Sequence, residues 1–355
     1  MADLSKDLRD ALRGKMDVFR STIVKESRAD DGVIKLLLEF PGNSTQGNNE
    51  TRRHGDAETR RHGETDATSG GDARPATSGP HTPYPIPHTL SPAAPAQVEC
   101  VMIPQEDRRT ACLSTQAGCP VGCVFCASGM YGLQRNLTSG EIVEQLLRLQ
   151  EALGPVRRMT HVVIMGMGEP LANFDATVDA IYTINEKWGF GLGARHITVS
   201  TIGIPQRIRE LADHNLQLNV AISLHAPTDA LRRQLIPWAS HFTIKQIFDA
   251  AKYYFDITGR EITLEYVMLG GINDHMTQAN QLAKVAKMIR CSVNLIPFNS
   301  VEGLDYKRPS VDQVYAFQDV LRQAGVRCKV RKSRGVEADA ACGQLRRRQM
   351  QAKPA

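Results

Sequence analysis

The sequence predicts an α/β fold in which six strand–helix units form an open or partial (β/α)6 barrel. Two observations carry this prediction. From residue 97 onwards, apolar strand-like runs alternate with amphipathic segments of helical length, and cysteine-rich or polar stretches follow the ends of those runs. In barrels of this kind the chemistry lies at the carboxyl ends of the strands. The residues that follow each predicted strand are therefore the first candidates for a functional site.

The predicted elements alternate along the chain. A strand at 33–40 precedes six barrel strands, which we predict at 110–114, 161–165, 196–200, 218–223, 262–268 and 292–296. The helices that follow these strands have one apolar face, and we predict them at 140–153, 175–186, 205–215, 244–254, 276–289 and 311–324. Residues 3–20 predict one more short helix, because a leucine or methionine recurs at every fourth position.

Residues 43–96 differ in composition from the rest of the chain. Gly, Pro, Ser, Thr, Arg and Asp dominate there, and an eight-residue unit occurs twice, at 51–58 and 59–66. Such a segment buries too little apolar surface to offset its ordering entropy, so we interpret it as a disordered insertion. The chain then divides into an N-terminal accessory region (1–42), the insertion (43–96), the barrel with a C-terminal cysteine loop (97–345) and a basic tail (346–355).

Composition and charge narrow the class of protein. No apolar run approaches the roughly 20 residues of a membrane span, and the N-terminus has no signal-peptide core, so we expect a cytoplasmic protein without a membrane partner. The net charge of +5 permits a polyanionic partner without requiring one. Four of the eight cysteines fall between residues 112 and 126, which favours metal or redox chemistry over disulfide bonds.

Three of these cysteines form a C-x3-C-x2-C array directly after the first barrel strand, at Cys119, Cys123 and Cys126. Thiolates are the preferred ligands of iron–sulfur clusters, and three of them leave one iron of a [4Fe–4S] cluster open to another ligand. The alternative is a structural zinc site with a distant fourth ligand. Such sites usually use paired C-x2-C ligands, and the sequence has no second pair. We therefore predict a cluster.

The array resembles that of the radical S-adenosylmethionine (SAM) superfamily, in which the open iron binds SAM. Seven short motifs follow one another along the chain: 97–104 (QVECVMIP), 112–119 (CLSTQAGC), 166–170 (GMGEP), 200–203 (STIG), 223–227 (SLHAP), 294–299 (NLIPFN) and 339–345 (DAACGQL). By the order and spacing of these motifs, residues 98–345 resemble the RlmN/Cfr family of radical SAM enzymes, which methylate adenine in RNA. In this family the accessory region is longer, so residues 1–42 are interpreted as a truncated version of it. The insertion falls between two strands that the family joins tightly, which puts that hairpin in question.

The resemblance implies roles for individual residues. Those expected to contact SAM follow the predicted strands, and they are Gly168, Glu169, Ser200, Ser223, Leu224, His225 and Asn299. For Ser200, Ser223, His225 and Asn299 the alternative is a loop side chain that caps a helix. The resemblance also implies that Cys342 carries the methyl group, that Cys112 resolves the intermediate and that Glu99 is the base. Without the resemblance, Cys112 would be a core cysteine and Cys342 an incidental thiol.

The implied activity is methylation of carbon 2 of an adenine in 23S rRNA and, in some members, in tRNA next to the anticodon. The resemblance also implies two SAM molecules per turnover, a flavodoxin-type or ferredoxin-type electron donor, a disulfide reductant and a monomeric enzyme. One alternative is a Cfr-like enzyme that methylates carbon 8 and confers antibiotic resistance; Pro170 and residues 331–335 favour carbon 2. The other is a non-catalytic, metal-containing RNA-binding protein, which would need neither Glu99 nor Cys112 and Cys342.

Basic clusters at 331–334 and 346–348 flank Cys342 and are candidate phosphate contacts.

Overall fold

The computed structural model describes residues 19–42, 95–301 and 303–331. Several predictions fall outside these ranges and are not tested by the structure. They concern the helix at 3–20 except for its last two residues, the insertion up to residue 94, Cys342 and the basic tail.

A ten-stranded sheet forms the centre of the fold. Its strands, in spatial order, are β1 (Thr22–Arg28), β2 (Ile34–Phe40), β3 (Ala96–Gln105), β4 (Arg108–Cys112), β7 (His161–Ile164), β8 (Ile197–Thr201), β9 (Asn219–Ser223), β10 (Ile262–Met268), β11 (Cys291–Pro297) and β12 (Cys328–Val330). From β1 to β4 neighbours are antiparallel, and from β4 to β12 they are parallel. The six predicted barrel strands are confirmed, and the partial barrel has a seventh, short parallel strand, β12.

Two further strands and seven α-helices complete the described fold. β5 (Gln116–Gly118) and β6 (Leu133–Asn136) form a separate antiparallel pair. The helices are α1 (Ser139–Leu153), α2 (Phe174–Asn185), α3 (Pro205–Asp213), α4 (Asp229–Leu235), α5 (Ile244–Thr258), α6 (Met276–Ala286) and α7 (Val311–Gln323). Six of them match the predicted helices to within a few residues at each end, and α4 was not predicted. None of the helices in the described ranges is long and apolar enough to cross a membrane.

The hairpin between β2 and β3 is intact, which answers the question that the insertion raised. The two strands pair antiparallel from Ile34 opposite Met102 to Phe40 opposite Ala96. Alternate residues of both strands are buried in the main hydrophobic core, and this fixes the register whatever the length of the connection. The entropic cost of closing a longer loop grows only with the logarithm of its length.

Side chains alternate between the two faces of the barrel strands. In β7, for example, Val162 and Ile164 belong to the main core with the helices, whereas Val163 packs beside Cys112 on the other face. The second face is the inner face of the partial barrel. Glu99, Cys112, Ser200 and Ser223 alternate with core residues in their strands and therefore share it. The fold thus gathers predicted site residues at one end of one face.

Candidate active site at the mouth of the partial barrel

The cysteine loop is held compactly between the β5–β6 hairpin and α4. The Cys119 amide donates to Gly132 O (3.0 Å), and the Cys126 amide donates to Cys123 O (3.1 Å). The Val124 amide donates to Leu235 O at the end of α4 (3.1 Å). All three cysteines are partly buried and free of disulfide bonds. Backbone hydrogen bonds therefore hold the three cysteines in one short loop.

The three thiols lie close enough to affect one another. Burial and the neighbouring Cys126 raise the pKa of the Cys119 and Cys123 thiols well above the usual range. A thiol must lose its proton to bind metal, so cluster assembly here releases protons. In the described residues, no three His, Cys, Asp or Glu side chains converge to hold a single metal ion. The cysteines of a cluster bind different irons and need not converge on one atom, and three thiolates from one loop are a donor set that fits a [4Fe–4S] cluster.

The Gly166–Gly168 segment packs against the chain that leads from β4 into the first residue of β5. A Cβ on Gly166 would lie 2.5 Å from Ser114 Oγ, and one on Gly168 would lie 2.6 Å from Gln116 Cβ. Gly168 also has a φ of +102°, a conformation that favours glycine. Both glycines are thus required by packing within the protein, and a contact between Gly168 and SAM stays a prediction.

Glu169 follows this segment and joins the loops after β7 and β8. Its carboxylate accepts hydrogen bonds from the amides of Leu171 (3.0 Å) and Ile202 (2.8 Å). Burial raises its pKa to about 7, although hydrogen bonds from Thr201 and from these amides lower it. The carboxylate thus caps the short turn that contains Leu171, and a contact between Glu169 and SAM stays a prediction.

The ends of β8 and β9 bring together the next predicted residues. Ser200 Oγ lies 3.4 Å from Ser223 Oγ. The Leu224 side chain is fully buried in the hydrophobic core, so a contact with SAM would involve its backbone. Asn299 lies beyond β11, where its Oδ1 accepts a hydrogen bond from Arg308 (2.7 Å).

His225 has an unusual backbone conformation, with a φ of +57°. Its amide donates to Glu265 O (3.2 Å), and its Nδ1 accepts from the Val267 amide (3.0 Å). Burial, followed by the charge of Arg232, lowers the pKa of His225 to about 3. The ring is therefore neutral at physiological pH with its proton on Nε2, and its edge packs against Phe125 of the cysteine loop. Strained residues held in this way cluster at functional sites.

The inner face also carries Glu99 and Cys112, on neighbouring strands. Cys112 is opposite Val101 of β3, so Glu99 lies two residues further towards the mouth. Glu99 forms a buried ion pair with Lys35 of β2 (Nζ to Oε2, 2.9 Å). Ser114 connects this region with the glycine segment, because its Oγ donates to Glu99 O (2.6 Å) and accepts from the Met167 amide (2.8 Å).

Three buried charged residues at this site were not predicted. Lys35 is a charged residue among the apolar residues at the start of the predicted strand 33–40, and this signal was visible in the sequence. Glu265 is opposite Ser223 and Asn294 in the sheet, and its Oε2 has no hydrogen-bond partner in the described part of the chain. Arg232 is 1% exposed, yet in sequence it resembles a surface arginine of a helix. Two surface cavities, of about 520 and 360 Å³, include none of the predicted site residues in their lining.

The chain is similar to known proteins in both sequence and structure. The model of the Radical SAM superfamily matches residues 113–281. A probable dual-specificity RNA methyltransferase RlmN from Alkaliphilus oremlandii is 45% identical over 254 residues, which are 72% of this chain and 74% of that protein. Its counterpart from Rhodopirellula baltica is 46% identical over 257 residues, which are 72% of this chain and 69% of that protein.

A solved structure is similar over nearly the whole chain. The crystal structure of a radical SAM methyltransferase from Sphaerobacter thermophilus superposes with a TM-score of 0.75 at 36% identity, covering 97% of this chain and 86% of that one. Fold, cysteine loop and sequence identity over more than two thirds of the relatives' length lead to one conclusion. The chain belongs to the RlmN family of radical SAM RNA methyltransferases.

Proposed function

We propose that this chain methylates carbon 2 of an adenine in 23S rRNA, and of an adenine next to the anticodon of tRNA, through a methyl-cysteine intermediate. Membership of the radical SAM superfamily implies a [4Fe–4S] cluster and SAM as cofactors. The relatives are named as probable dual-specificity RNA methyltransferases, which supports two RNA substrates. Cys119, Cys123 and Cys126 are the residues that would hold the cluster.

The observation that carries the proposal is the placement of Glu99 and Cys112 on one face of two paired strands. Both are buried, with 3% and 7% of their surface exposed, and both lie on the face that also carries Ser200 and Ser223. A module that only binds RNA needs neither a buried carboxylate nor a buried thiol at this place. An enzyme that removes a proton and resolves a thioether needs both.

The chemistry requires a nucleophilic cysteine. Carbon 2 of adenine is electron-poor and does not displace a methyl group from SAM, whereas a thiolate does. In this proposal the Cys342 thiolate accepts that methyl group. When bound, the cluster and SAM supply the methyl group and the 5′-deoxyadenosyl radical that removes one hydrogen from it. The carbon radical left on Cys342 then adds to carbon 2 and joins the RNA to the protein.

Two more residues release the product. Glu99 accepts the proton that carbon 2 loses, and the Cys112 thiolate attacks the Cys342 sulfur, so that a disulfide forms and the carbon–sulfur bond breaks. The freed carbon takes up a proton and becomes the methyl group, and a cluster held by the three cysteines would accept the one surplus electron of the radical adduct. Two electrons from a disulfide reductant then restore both thiols, which requires a reducing compartment such as the cytoplasm. Each turnover of the monomer uses two SAM molecules and a low-potential electron donor of the flavodoxin or ferredoxin type.

The target adenine must leave its base stack to reach the mouth of the partial barrel. Enzymes that modify bases take the target out of the helix or act on unpaired segments, and they hold the backbone through basic side chains. The basic clusters on either side of Cys342 are our candidates for these phosphate contacts.

The experiment is nucleoside mass spectrometry of rRNA and tRNA after anaerobic incubation with reconstituted protein, SAM and a reductant. We expect 2-methyladenosine from the unmodified protein and from the control Cys291→Ala, and none from Cys342→Ala. Formation of 8-methyladenosine would replace the carbon-2 assignment with the carbon-8 alternative. SAM cleavage without any methyladenosine would contradict the assignment of adenine in RNA as the substrate.

A further inference from the structure

Arg232 is a fully buried arginine next to the cysteine loop. It lies on α4, which begins after Thr228, whose Oγ1 accepts a hydrogen bond from the Leu231 amide. One guanidinium nitrogen, Nη2, donates to Ile202 O and Ser223 O, at the carboxyl ends of β8 and β9. The side chain therefore crosses from the helix to the mouth of the barrel.

The same segment holds the cysteine loop in place. Leu235 O, one turn after Arg232, accepts the Val124 amide (3.1 Å), and Gly122 faces Pro237. The guanidinium charge interacts with Cys123 and with Glu169. The segment after Arg232 is thus tied to the loop through its backbone, and Arg232 itself through its charge.

Two polar atoms of Arg232 have no acceptor. Nε and Nη1 are buried and make no hydrogen bond within residues 19–42, 95–301 and 303–331. A buried donor normally has a hydrogen-bond partner, so these two atoms are available to donate to a bound group. Hydrogen bonds to the sulfurs of an iron–sulfur cluster and the charge around it set its reduction potential.

We propose that Arg232 is the positioning residue for the cluster, and that its Nε and Nη1 atoms donate to the sulfur of Cys123 and stabilise the reduced form. Reduction adds a negative charge to a group that is already anionic, so a buried cation favours the reduced form. This inference rests on the cluster assigned in the proposed function, but it does not depend on which adenine carbon is methylated. A wild-type protein that binds no cluster would contradict the proposed function, whereas an unchanged potential in Arg232 variants would contradict only this inference.

The test is a redox titration, followed by electron paramagnetic resonance, of SAM-free protein carrying its reconstituted cluster. Arg232→Gln keeps a donor without the charge, and Arg232→Lys keeps the charge without the planar group. Arg233→Met is the matched control, because Arg233 lies beside Arg232 on α4 but is exposed. At a fixed solution potential we expect the ratio of reduced to oxidised cluster to fall about tenfold in Arg232→Gln, which corresponds to about 59 mV for one electron. We expect Arg232→Lys to stay within about threefold of wild type and Arg233→Met to match it.

Several outcomes would overturn the inference. One is an unchanged ratio in Arg232→Gln, and another is an equal fall in the Gln and Lys variants. An unchanged ratio with weaker SAM binding in Arg232→Gln would show that the guanidinium meets the carboxylate of SAM instead. If Arg232→Gln loses its iron while its circular dichroism is unchanged and Arg232→Lys keeps iron, the inference is supported. Loss of iron and of the folded spectrum in both variants would show that Arg232 serves only the fold.

Discussion

Lys35 Nζ lies 2.9 Å from Glu99 Oε2, and the two side chains are 0% and 3% exposed. The pair joins β2 to β3 across the insertion, on the inner face of the barrel. It places a cation directly beside the carboxylate to which we assign proton removal. A buried pair of this kind contributes little net stability compared with an apolar pair, but it penalises the loss of one partner.

Lys35→Met leaves Glu99 buried without its cation. We expect this substitution to lower the free energy of unfolding by about 3–5 kcal/mol, because a buried charge loses its partner. The double variant Lys35→Met/Glu99→Met should recover most of that loss, since no buried charge remains. Denaturant titration of the three proteins measures both effects. A double variant as unstable as the Lys35 variant would refute this account of the pair.

Ser114→Ala removes the hydroxyl that connects Glu99 O with the Met167 amide. Two buried backbone groups then lose a partner, and we expect a loss of about 1–3 kcal/mol in the free energy of unfolding. Ser128→Ala is the control, because Ser128 Oγ is buried and has no hydrogen-bond partner among the described residues. Removal of that hydroxyl should be nearly neutral. Equal losses in the two variants would mean that the Ser114 hydrogen bonds contribute nothing.

Gly168→Ala tests whether packing, in addition to backbone conformation, requires glycine at this position. The added Cβ would lie 2.6 Å from Gln116 Cβ, and the φ is +102°. Gly191→Ala is the control, because Gly191 also has a positive φ, of +71°, but no atom lies within 4 Å of the added Cβ. We expect the Gly191 variant to lose about 1 kcal/mol and the Gly168 variant to lose at least twice as much, measured by thermal unfolding. A Gly168 variant as stable as the Gly191 variant would show that the Gln116 contact relaxes.

The lowered pKa of His225 predicts that the stability of the protein depends on pH. Its pKa falls from 6.5 in the unfolded chain to about 3 in the folded protein, so the unfolded chain binds the proton first on acidification. The stability that His225 contributes is therefore present above pH 6.5 and is lost as the pH falls from 6.5 towards 3. Between pH 7.5 and 5.5 the loss is about 1.4 kcal/mol.

Glu169 changes the stability with pH in the opposite direction, because its pKa of about 7 in the folded protein lies above its ordinary value of 4.5. Its contribution is present below pH 4.5 and is lost as the pH rises through 7. Comparison of wild type with His225→Gln at each pH cancels this effect, and His275→Gln serves as an exposed control. A difference between wild type and His225→Gln that does not change with pH would contradict the buried neutral histidine.

The sequence was sufficient to predict the six strand–helix units and the cysteine loop, because apolar alternation, helical periodicity and cysteine spacing are local signals. α4 was missed because its seven residues are too few to show a period, and β1 was missed because most of its residues are exposed. α5 extends to Thr258, beyond the predicted end at Tyr254, since the left-handed Gly259 ends it. The pair of Lys35 with Glu99 and the burial of Arg232 depend on contacts between distant segments, which no local pattern encodes.

The central claim, that the methyl group passes through a cysteine to adenine, is tested most directly by trapping the RNA on the protein. Cys112→Ala lacks the thiol that attacks Cys342, so we expect a covalent RNA–protein adduct, with mass spectrometry locating the adenine on the peptide that contains Cys342. Cys100→Ala is the control, because Cys100 is buried in the neighbouring strand on the helix-facing side, and it should release methylated RNA. Release of methylated RNA by Cys112→Ala without any adduct would contradict the account.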